Sequence, residues 1–138
     1  GMVVTMDIGN PRNVHPNRKA PVGGRLAGWA LADVYGKDLV KSGPLASQAK
    51  WDGPKAIVEF DFGEGLSWST GTSLLGFELA GADGVFHPAG ATVLGDKVII
   101  SSFRVVAAVS VRYAWAPNPV CNLVNGAGLP GSPFRFQK

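Results

Sequence analysis

The sequence predicts a mainly β protein in which an antiparallel, immunoglobulin-like β-sandwich follows a short strand–loop–helix segment. Two observations carry this prediction. Residues 39–138 contain short apolar runs separated by Gly, Asp and Pro turns, with no helical pattern among them. Residues 2–35 instead contain one continuous apolar run, a polar loop and a helical pattern, which together are typical of an α/β layer.

The composition fits a folded chain and narrows the classes of function. The 138 residues are 46% hydrophobic and 17% charged, which allows a core of ordinary size and excludes a disordered tail. The net charge is +3, and the basic residues cluster only at Arg12, Arg18, Lys19 and Arg25, without interleaved aromatic side chains. We therefore expect no nucleic-acid partner. No apolar run is long enough to span a membrane or to act as a signal peptide, so no membrane partner is expected either.

The cysteine and histidine content predicts neither a disulfide nor a metal site. Cys121 is the single cysteine, so it has no intrachain partner, and we expect it to be buried or half-buried. His15 and His87 lack both the spacing and the thiol neighbours of a zinc site. No glycine-rich stretch has the pattern of a phosphate loop, so no cofactor is expected.

The pattern of the first 38 residues is typical of the end of an α/β unit. Residues 2–8 are apolar and partly β-branched, which predicts a strand covered on both faces. The polar residues 9–19 predict a loop at the carboxyl end of that strand, where α/β proteins place their chemistry. A helix is predicted from about Pro21, with Gly36 as its stop.

The predicted helix has apolar side chains on two faces. One face carries Leu26, Trp29 and Ala30, and the other carries Ala27, Leu31 and Val34. Such a helix needs cover on both sides, and the chain contains no further strand–helix unit to supply it. We therefore expect the chain to be the tail of a larger domain, and residues 2–35 to self-associate if the chain stands alone.

Alternating polarity predicts the strands of the sandwich. They are expected at residues 56–62, 74–80, 85–87, 92–94, 98–101 and 108–115, with a further short strand at 122–124 and coil elsewhere after 116. In the clearest strand Val109, Val111, Tyr113 and Trp115 share one face, and in the first Val58, Phe60 and Phe62 do. Trp51, Trp68 and Trp115 are predicted to pack in the core or at a domain interface, with a sugar-stacking platform as the alternative.

The chain resembles the C-terminal portion of sialate O-acetylesterases, which are members of the SGNH (GDSL-like) esterase superfamily. The resemblance lies in an ordered series of motifs, GMVVTMDIG, NVHPNRK, GRLAGWALADVYGKD, SGPL, GFELAGADGVFHPA and VRYAWAPNPVCNLVNGAGLPGSPFR, which covers nearly the whole chain. It implies that residues 1–38 are the final strand, catalytic loop and last helix of an SGNH domain. Residues 39–138 would be the β-sandwich that follows, and the family suggests a secreted or periplasmic protein.

The resemblance implies a catalytic role for His15, which stands at the histidine of the family's His-Pro motif. There it is the general base that takes a proton from a nucleophilic serine as the serine attacks an acetyl ester. The family commonly has an aspartate three residues earlier, where this chain has Arg12. Asn13 is therefore the candidate that orients the imidazole, although an amide stabilises an imidazolium less than a carboxylate does. Asp7 is expected to be structural.

The resemblance also implies that the nucleophile lies outside the chain. The family's serine stands in a Gly-x-Ser turn near the start of the SGNH domain, and no serine here has that setting. The serines are Ser42, Ser47, Ser67, Ser69, Ser73, Ser101, Ser102, Ser110 and Ser132. We therefore expect the parent to be a serine esterase and the isolated chain to be inactive or nearly so.

Two classes of function follow. In the first, the chain is the C-terminal part of a carbohydrate O-acetylesterase that removes acetyl groups from sialic acids, and its substrate is an O-acetylated sugar bound through an upstream catalytic domain. In the second, the chain is a noncatalytic module whose sandwich binds a glycan or another partner through exposed aromatic side chains.

Overall fold

The computed structural model describes residues 1–15 and 17–138. Within that range a 3₁₀ helix at Met6–Ile8 and helix α1 at Ala20–Asp33 precede a series of strands. The strands are β1 Leu45–Asp52, β2 Lys55–Asp61, β3 Ser67–Trp68, β4 Phe77–Ala80, β5 Phe86–Pro88, β6 Gly90–Leu94, β7 Lys97–Ser101, β8 Ser110–Tyr113, β9 Leu123–Val124 and β10 Phe134–Gln137.

The strands form two four-stranded sheets and a two-stranded ribbon. The first sheet has the order β1-β2-β7-β6 and the second β10-β8-β4-β5, while β3 pairs with β9. Every neighbouring pair is antiparallel. Buried residues of both sheets belong to one hydrophobic cluster, which confirms the predicted mainly β fold and its antiparallel sandwich.

The core lies between the two inner faces. Its fully buried members include Val58 and Ile100 from the first sheet and Leu79, Val111 and Tyr113 from the second. Aromatic rings join the layers, since the Phe134 ring contacts the Phe60 ring edge-on, with the ring centroids 5.8 Å apart. Alternation along β2 buries every second side chain, as the period of two predicts.

Two predicted strands end earlier than the apolar pattern suggested. Phe62 and Ala114 have φ angles of 55° and 52°, so the backbone leaves the extended conformation directly after β2 and β8. Phe62 and Trp115 were predicted to share a face with the residues that alternate with them, but their exposed fractions are 38% and 48%. The inward-facing pattern therefore stops at Phe60 and Tyr113.

Three strands lie where none was predicted. β1 forms a hairpin with β2 across the turn at Gly53 and Pro54, with a register shift between Ala46 and Gln48. The side chains of β1 are only partly and irregularly buried, and its sequence shows no regular alternation of apolar and polar residues that could have predicted it. β3 and β10 are short, and β10 follows a Pro- and Gly-rich stretch that reads as coil. Tertiary pairing with β8 places Phe134 in the core despite that local composition.

The segment predicted as the strand 2–8 is not a strand. Residues 1–5 have no regular structure and Met6–Ile8 form the 3₁₀ helix. A strand of a parallel sheet needs a neighbour for its backbone hydrogen bonds, and no described part of this chain supplies one here. The Val4 carbonyl oxygen instead accepts a hydrogen bond from Arg25, at 2.6 Å.

Helix α1 confirms the predicted helix, with bounds shifted by one or two residues, but none of its residues is fully buried. Gly36 follows it with φ of 61°, a conformation that favours glycine, and the Lys37 N–H donates to the Leu31 carbonyl oxygen at 2.9 Å. Leu26, Leu31 and Val34 are exposed. Self-association through residues 2–35, and the division of the chain at residues 38 and 39, stay predictions.

Two buried asparagines hold the irregular segments on the sandwich. The Asn122 amide donates to the Thr70 and Ser73 carbonyl oxygens and accepts from the Leu75 N–H, each at 2.8 Å. Its side chain therefore organises the loop between β3 and β4.

The Asn125 amide donates to the Ser42 and Phe62 carbonyl oxygens at 2.9 and 3.0 Å and accepts from the Leu129 N–H at 3.1 Å. The chain before β1 is thus fixed to the end of the sandwich. A Cβ at Gly43 would lie 2.0 Å from the Pro130 carbonyl oxygen, so this close approach requires glycine.

Candidate active site

The loop that carries His15 lies between the 3₁₀ helix and α1, and the structure describes it at residues 9–15 and 17–19. Two asparagines shape it, because each side-chain oxygen accepts a hydrogen bond from the backbone two residues later. Asn10 Oδ1 accepts from the Arg12 N–H and Asn13 Oδ1 from the His15 N–H, both at 2.9 Å. The sequence Asn-Pro-Arg-Asn-Val-His therefore makes two Asx turns in succession and leaves His15 exposed.

Asn13 makes a different bond from the one predicted for it. Its side-chain oxygen engages the backbone N–H of His15, so the described contact fixes the backbone at the histidine. The predicted hydrogen bond between Asn13 and the imidazole stays a prediction. Among the described residues no carboxylate forms an ion pair with His15.

Asp7, which we expected to be structural, forms a bidentate ion pair at the base of the loop. Its carboxylate oxygens lie 2.8 and 2.6 Å from Nη1 and Nη2 of Arg25. Partial burial alone would raise the pKa of Asp7, but the hydrogen bonds and positive charge of Arg25, with a smaller contribution from Arg18, together lower it. The pair therefore stays charged near neutral pH.

No serine hydroxyl of the described chain is hydrogen-bonded to His15. The hydroxyls of Ser42, Ser47 and Ser102 donate to the backbone carbonyl oxygens of Gly43, Glu59 and Pro88. They are structural donors of the sandwich. Within residues 1–15 and 17–138 none of these hydroxyls is bonded to His15, and the location of the nucleophile outside the chain stays a prediction.

Cys121 is half-buried, as predicted, and burial raises the pKa of its thiol. Burial also raises the pKa of the neighbouring Tyr113, whose hydroxyl oxygen accepts from the Leu123 N–H at 2.9 Å. Neither group has the environment of a reactive nucleophile, since the protonated thiol is not the attacking form.

The described residues contain no cluster of three or more His, Cys, Asp or Glu side chains that could hold a metal ion. In the same part of the chain, no helix combines the length and the apolar character needed to cross a membrane.

The tryptophans of the sandwich have two different environments. Trp51 is partly buried and packs against the core, as expected. Trp68 and Trp115 are exposed, so they do not belong to the core. Trp115 lines an open groove of about 410 Å³ with Ala116, Pro117 and Pro133. These two rings fit the interface or sugar-stacking alternatives.

The contacts of Arg25 were not predicted from the sequence. Arg25 was predicted only as one of four clustered basic residues, whereas the structure places it at the junction of the N-terminal segment and α1. A signal was present in the sequence. Asp7 and Arg25 are isolated charges inside otherwise apolar stretches, where an unpaired charge would be costly.

The chain is therefore an antiparallel β-sandwich preceded by a helix and an exposed histidine loop, and comparison with known proteins links this arrangement to esterases. No family model matches the sequence, and no curated protein matches it. Among solved structures, a crystal structure described as a novel carbohydrate acetylesterase from Xanthomonas citri is similar, with a TM-score of 0.91 and 48% sequence identity over 96% of this chain. The chain spans 31% of the length of that esterase. This chain thus has the fold of part of a carbohydrate acetylesterase.

Proposed function

We propose that the chain supplies the histidine loop and the sandwich of a carbohydrate O-acetylesterase whose nucleophilic serine lies in polypeptide outside these 138 residues. The observation that carries the proposal is the structural and sequence match to a carbohydrate acetylesterase that is about three times as long, since the chain spans 31% of it. Acetylated sialic acids are the proposed substrate, because the ordered motifs of the chain resemble sialate O-acetylesterases.

The proposed reaction is acyl transfer through an acetyl-enzyme. His15 takes the proton of the serine hydroxyl as the serine oxygen attacks the acetyl carbonyl carbon. Donors outside this chain stabilise the oxyanion, and the tetrahedral intermediate collapses as His15 returns the proton to the sugar oxygen. Water, deprotonated by the same histidine, then attacks the acetyl-enzyme. The bond to the serine oxygen breaks as His15 returns that proton to it, which regenerates the serine and releases acetic acid that ionises to acetate. Histidine suits these steps because it exchanges protons near neutral pH.

The test compares four proteins for hydrolysis of p-nitrophenyl acetate and of O-acetylated sialic acid. They are the isolated chain, a longer polypeptide that includes the preceding coding sequence, and His15→Ala in both. We expect background rates from the isolated chain with or without His15, and turnover by the longer polypeptide that falls at least about 10³-fold in His15→Ala. Turnover by the isolated chain that depends on His15 would contradict the proposal, because a serine within it would then be the nucleophile.

The exposed Trp68 and Trp115 favour a second candidate, a glycan-binding module without catalysis. An indole face stacks on the apolar face of a sugar ring, and both rings are accessible. Trp115→Ala distinguishes the two candidates. A module would lose glycan binding with Trp115→Ala and keep it with His15→Ala, whereas the esterase would show the opposite dependence in hydrolysis.

A further inference from the structure

One side chain ties together the two ends of the histidine loop. Arg25 lies in α1, after the loop, and its Nη1 donates to the Val4 carbonyl oxygen at 2.6 Å and to Asp7 Oδ1 at 2.8 Å. Its Nη2 donates to Asp7 Oδ2 at 2.6 Å. Val4 and Asp7 precede the loop, so the guanidinium joins the segments on its two sides, a contact called here the base of the loop.

The geometry favours a rigid contact over a surface ion pair. A planar guanidinium that meets a carboxylate with two parallel hydrogen bonds fixes orientation as well as distance. The Arg25 side chain is only 12% exposed and that of Asp7 36% exposed, so water screens the pair less than it screens a surface pair. The third bond, to the Val4 carbonyl oxygen, holds a segment that has no strand partner in the described chain.

The backbone between this base and His15 is also constrained. The Asx turns at Asn10 and Asn13 set its path, and the second of them ends at the His15 N–H. A fixed base and two fixed turns leave the loop few ways to displace His15. If Arg25 is lost, the base opens and the hydrogen bonds of the turns should open more often.

We propose that Arg25 is a positioning residue, which acts through Asp7 and Val4 to hold the loop that presents His15. The proposal rests on the proposed function, since it gives Arg25 its importance for hydrolysis. A general base must lie within hydrogen-bond reach of the proton it takes. A displacement of about 1 Å in catalytic geometry can lower a rate by about 10²-fold.

The first experiment measures amide hydrogen exchange in the chain by NMR. Arg25→Gln should speed exchange of the backbone N–H groups of Asn13 and His15 by at least about ten-fold. Their hydrogen bonds, to the Asn10 carbonyl oxygen at 3.2 Å and to Asn13 Oδ1 at 2.9 Å, would then lie in a loop whose base is open. Arg25→Lys should give an intermediate effect, since an ammonium cannot form the two-pronged contact. Arg12→Gln is the matched control. It removes the same charge three residues from His15 and should leave exchange within about two-fold, because the Arg12 side chain takes no part in the described contacts.

Asp7→Asn provides a second variant that keeps the Arg25 bond to Val4. It should speed exchange less than Arg25→Gln, and the double variant should be no faster than Arg25→Gln alone, because both changes open the same contact. Loop exchange that is unchanged in Arg25→Gln, or matched by Arg12→Gln, would overturn the proposal whatever the role of His15.

The second experiment uses the longer polypeptide of the hydrolysis test. Arg25→Gln should lower kcat by about 10- to 100-fold with KM within about two-fold, because the base is displaced while substrate contacts are kept. Partial recovery of kcat is expected in Arg25→Lys. An unchanged kcat in Arg25→Gln, where His15→Ala abolishes turnover, would refute the positioning role alone. Full turnover in His15→Ala would refute the proposed function, while the exchange data would still decide whether Arg25 orders the loop.

Discussion

The sandwich and helix α1 of this chain use their apolar residues in opposite ways. The sandwich turns the inner faces of its two sheets toward each other, and Val58, Leu79 and Ile100 are fully buried there. Helix α1 has apolar residues of the same kinds, yet Leu26 and Leu31 remain exposed. Within the described chain the sandwich therefore has its own hydrophobic core, whereas the helix does not share in it.

The residues that stabilise the chain therefore differ from those that the proposed reaction uses. Burial supplies most of the stability of a domain, so the sandwich should account for nearly all of it. The loop that presents His15 is held by polar contacts at Asn10, Asn13 and Arg25. Substitutions in the two regions should therefore fall into two groups, one that changes stability and one that changes the order of the loop.

The largest expected effect comes from a matched pair of leucines. Leu79→Ala, at 0% exposure, should lower the free energy of unfolding by about 2–5 kcal/mol, because the change leaves a cavity in the core. Leu31→Ala makes the same change at 41% exposure on α1 and should cost less than about 1 kcal/mol. Urea unfolding at low protein concentration measures both. Equal costs would mean that the helix belongs to the cooperative core.

A smaller effect is expected from a polar contact that fixes the segment before β1 to the sandwich. Asn125→Ala would leave the Ser42 and Phe62 carbonyl oxygens and the Leu129 N–H without their partner. We expect a loss of about 1–3 kcal/mol in the free energy of unfolding. The exposed Asn118 offers the control, and Asn118→Ala should stay within about 0.5 kcal/mol. A neutral result for Asn125→Ala would show that the segment before β1 is not fixed through this side chain.

The smallest effect concerns a charged network on the outer face of the first sheet. Hydrogen bonds from Lys50, Gln48 and Lys97 lower the pKa of Glu59 from 4.5 to about 2. Because the folded chain holds Glu59 ionised more strongly than the unfolded chain does, its stabilisation is present above pH 4.5 and is lost as the pH falls toward 2.

Melting temperatures between pH 6 and pH 2.5 test this expectation. Glu59→Gln should lose less stability over the acidic interval than the unchanged chain, because it has no carboxylate there to protonate. Lys50→Gln removes the hydrogen bond from Lys50 to Glu59 and should reproduce part of this reduced loss of stability. Parallel curves for all three proteins would show that the network makes no contribution to folding.

The period-two alternation of apolar and polar residues predicted the strands correctly where every second side chain is buried. Val58 and Phe60 on β2, and Val111 and Tyr113 on β8, alternate with polar residues and are buried. The pattern failed where tertiary pairing decides the structure. Phe134 in β10 follows glycine and proline, and it becomes a core residue only through contact with β8 and the rings around it. Residues 2–8 have the composition of a buried strand, but the described chain offers them no neighbouring strand.

The position of His15 in a loop was predictable from the sequence, whereas the hydrogen bonds around it were not. The position of His15 in a polar loop between an apolar run and a helix follows from the sequence. The bond from the His15 N–H to Asn13 Oδ1 does not, because an amide oxygen beside a histidine can accept from its ring or from its backbone. The bond from Arg25 to the Val4 carbonyl oxygen spans 21 residues, a separation at which local patterns carry no information.

The hydrogen bonds of Asn125 also bear on how fast the chain unfolds. They join residues separated by 83 and 63 positions, so loop closure must be complete before they form. We expect a contact of that kind to be absent from the folding transition state. Local hairpins such as β1-β2 are expected to form earlier. Asn125→Ala should then accelerate unfolding while leaving the refolding rate nearly unchanged, as stopped-flow kinetics can measure. One amide would in that way lengthen the lifetime of the folded state without taking part in its nucleation.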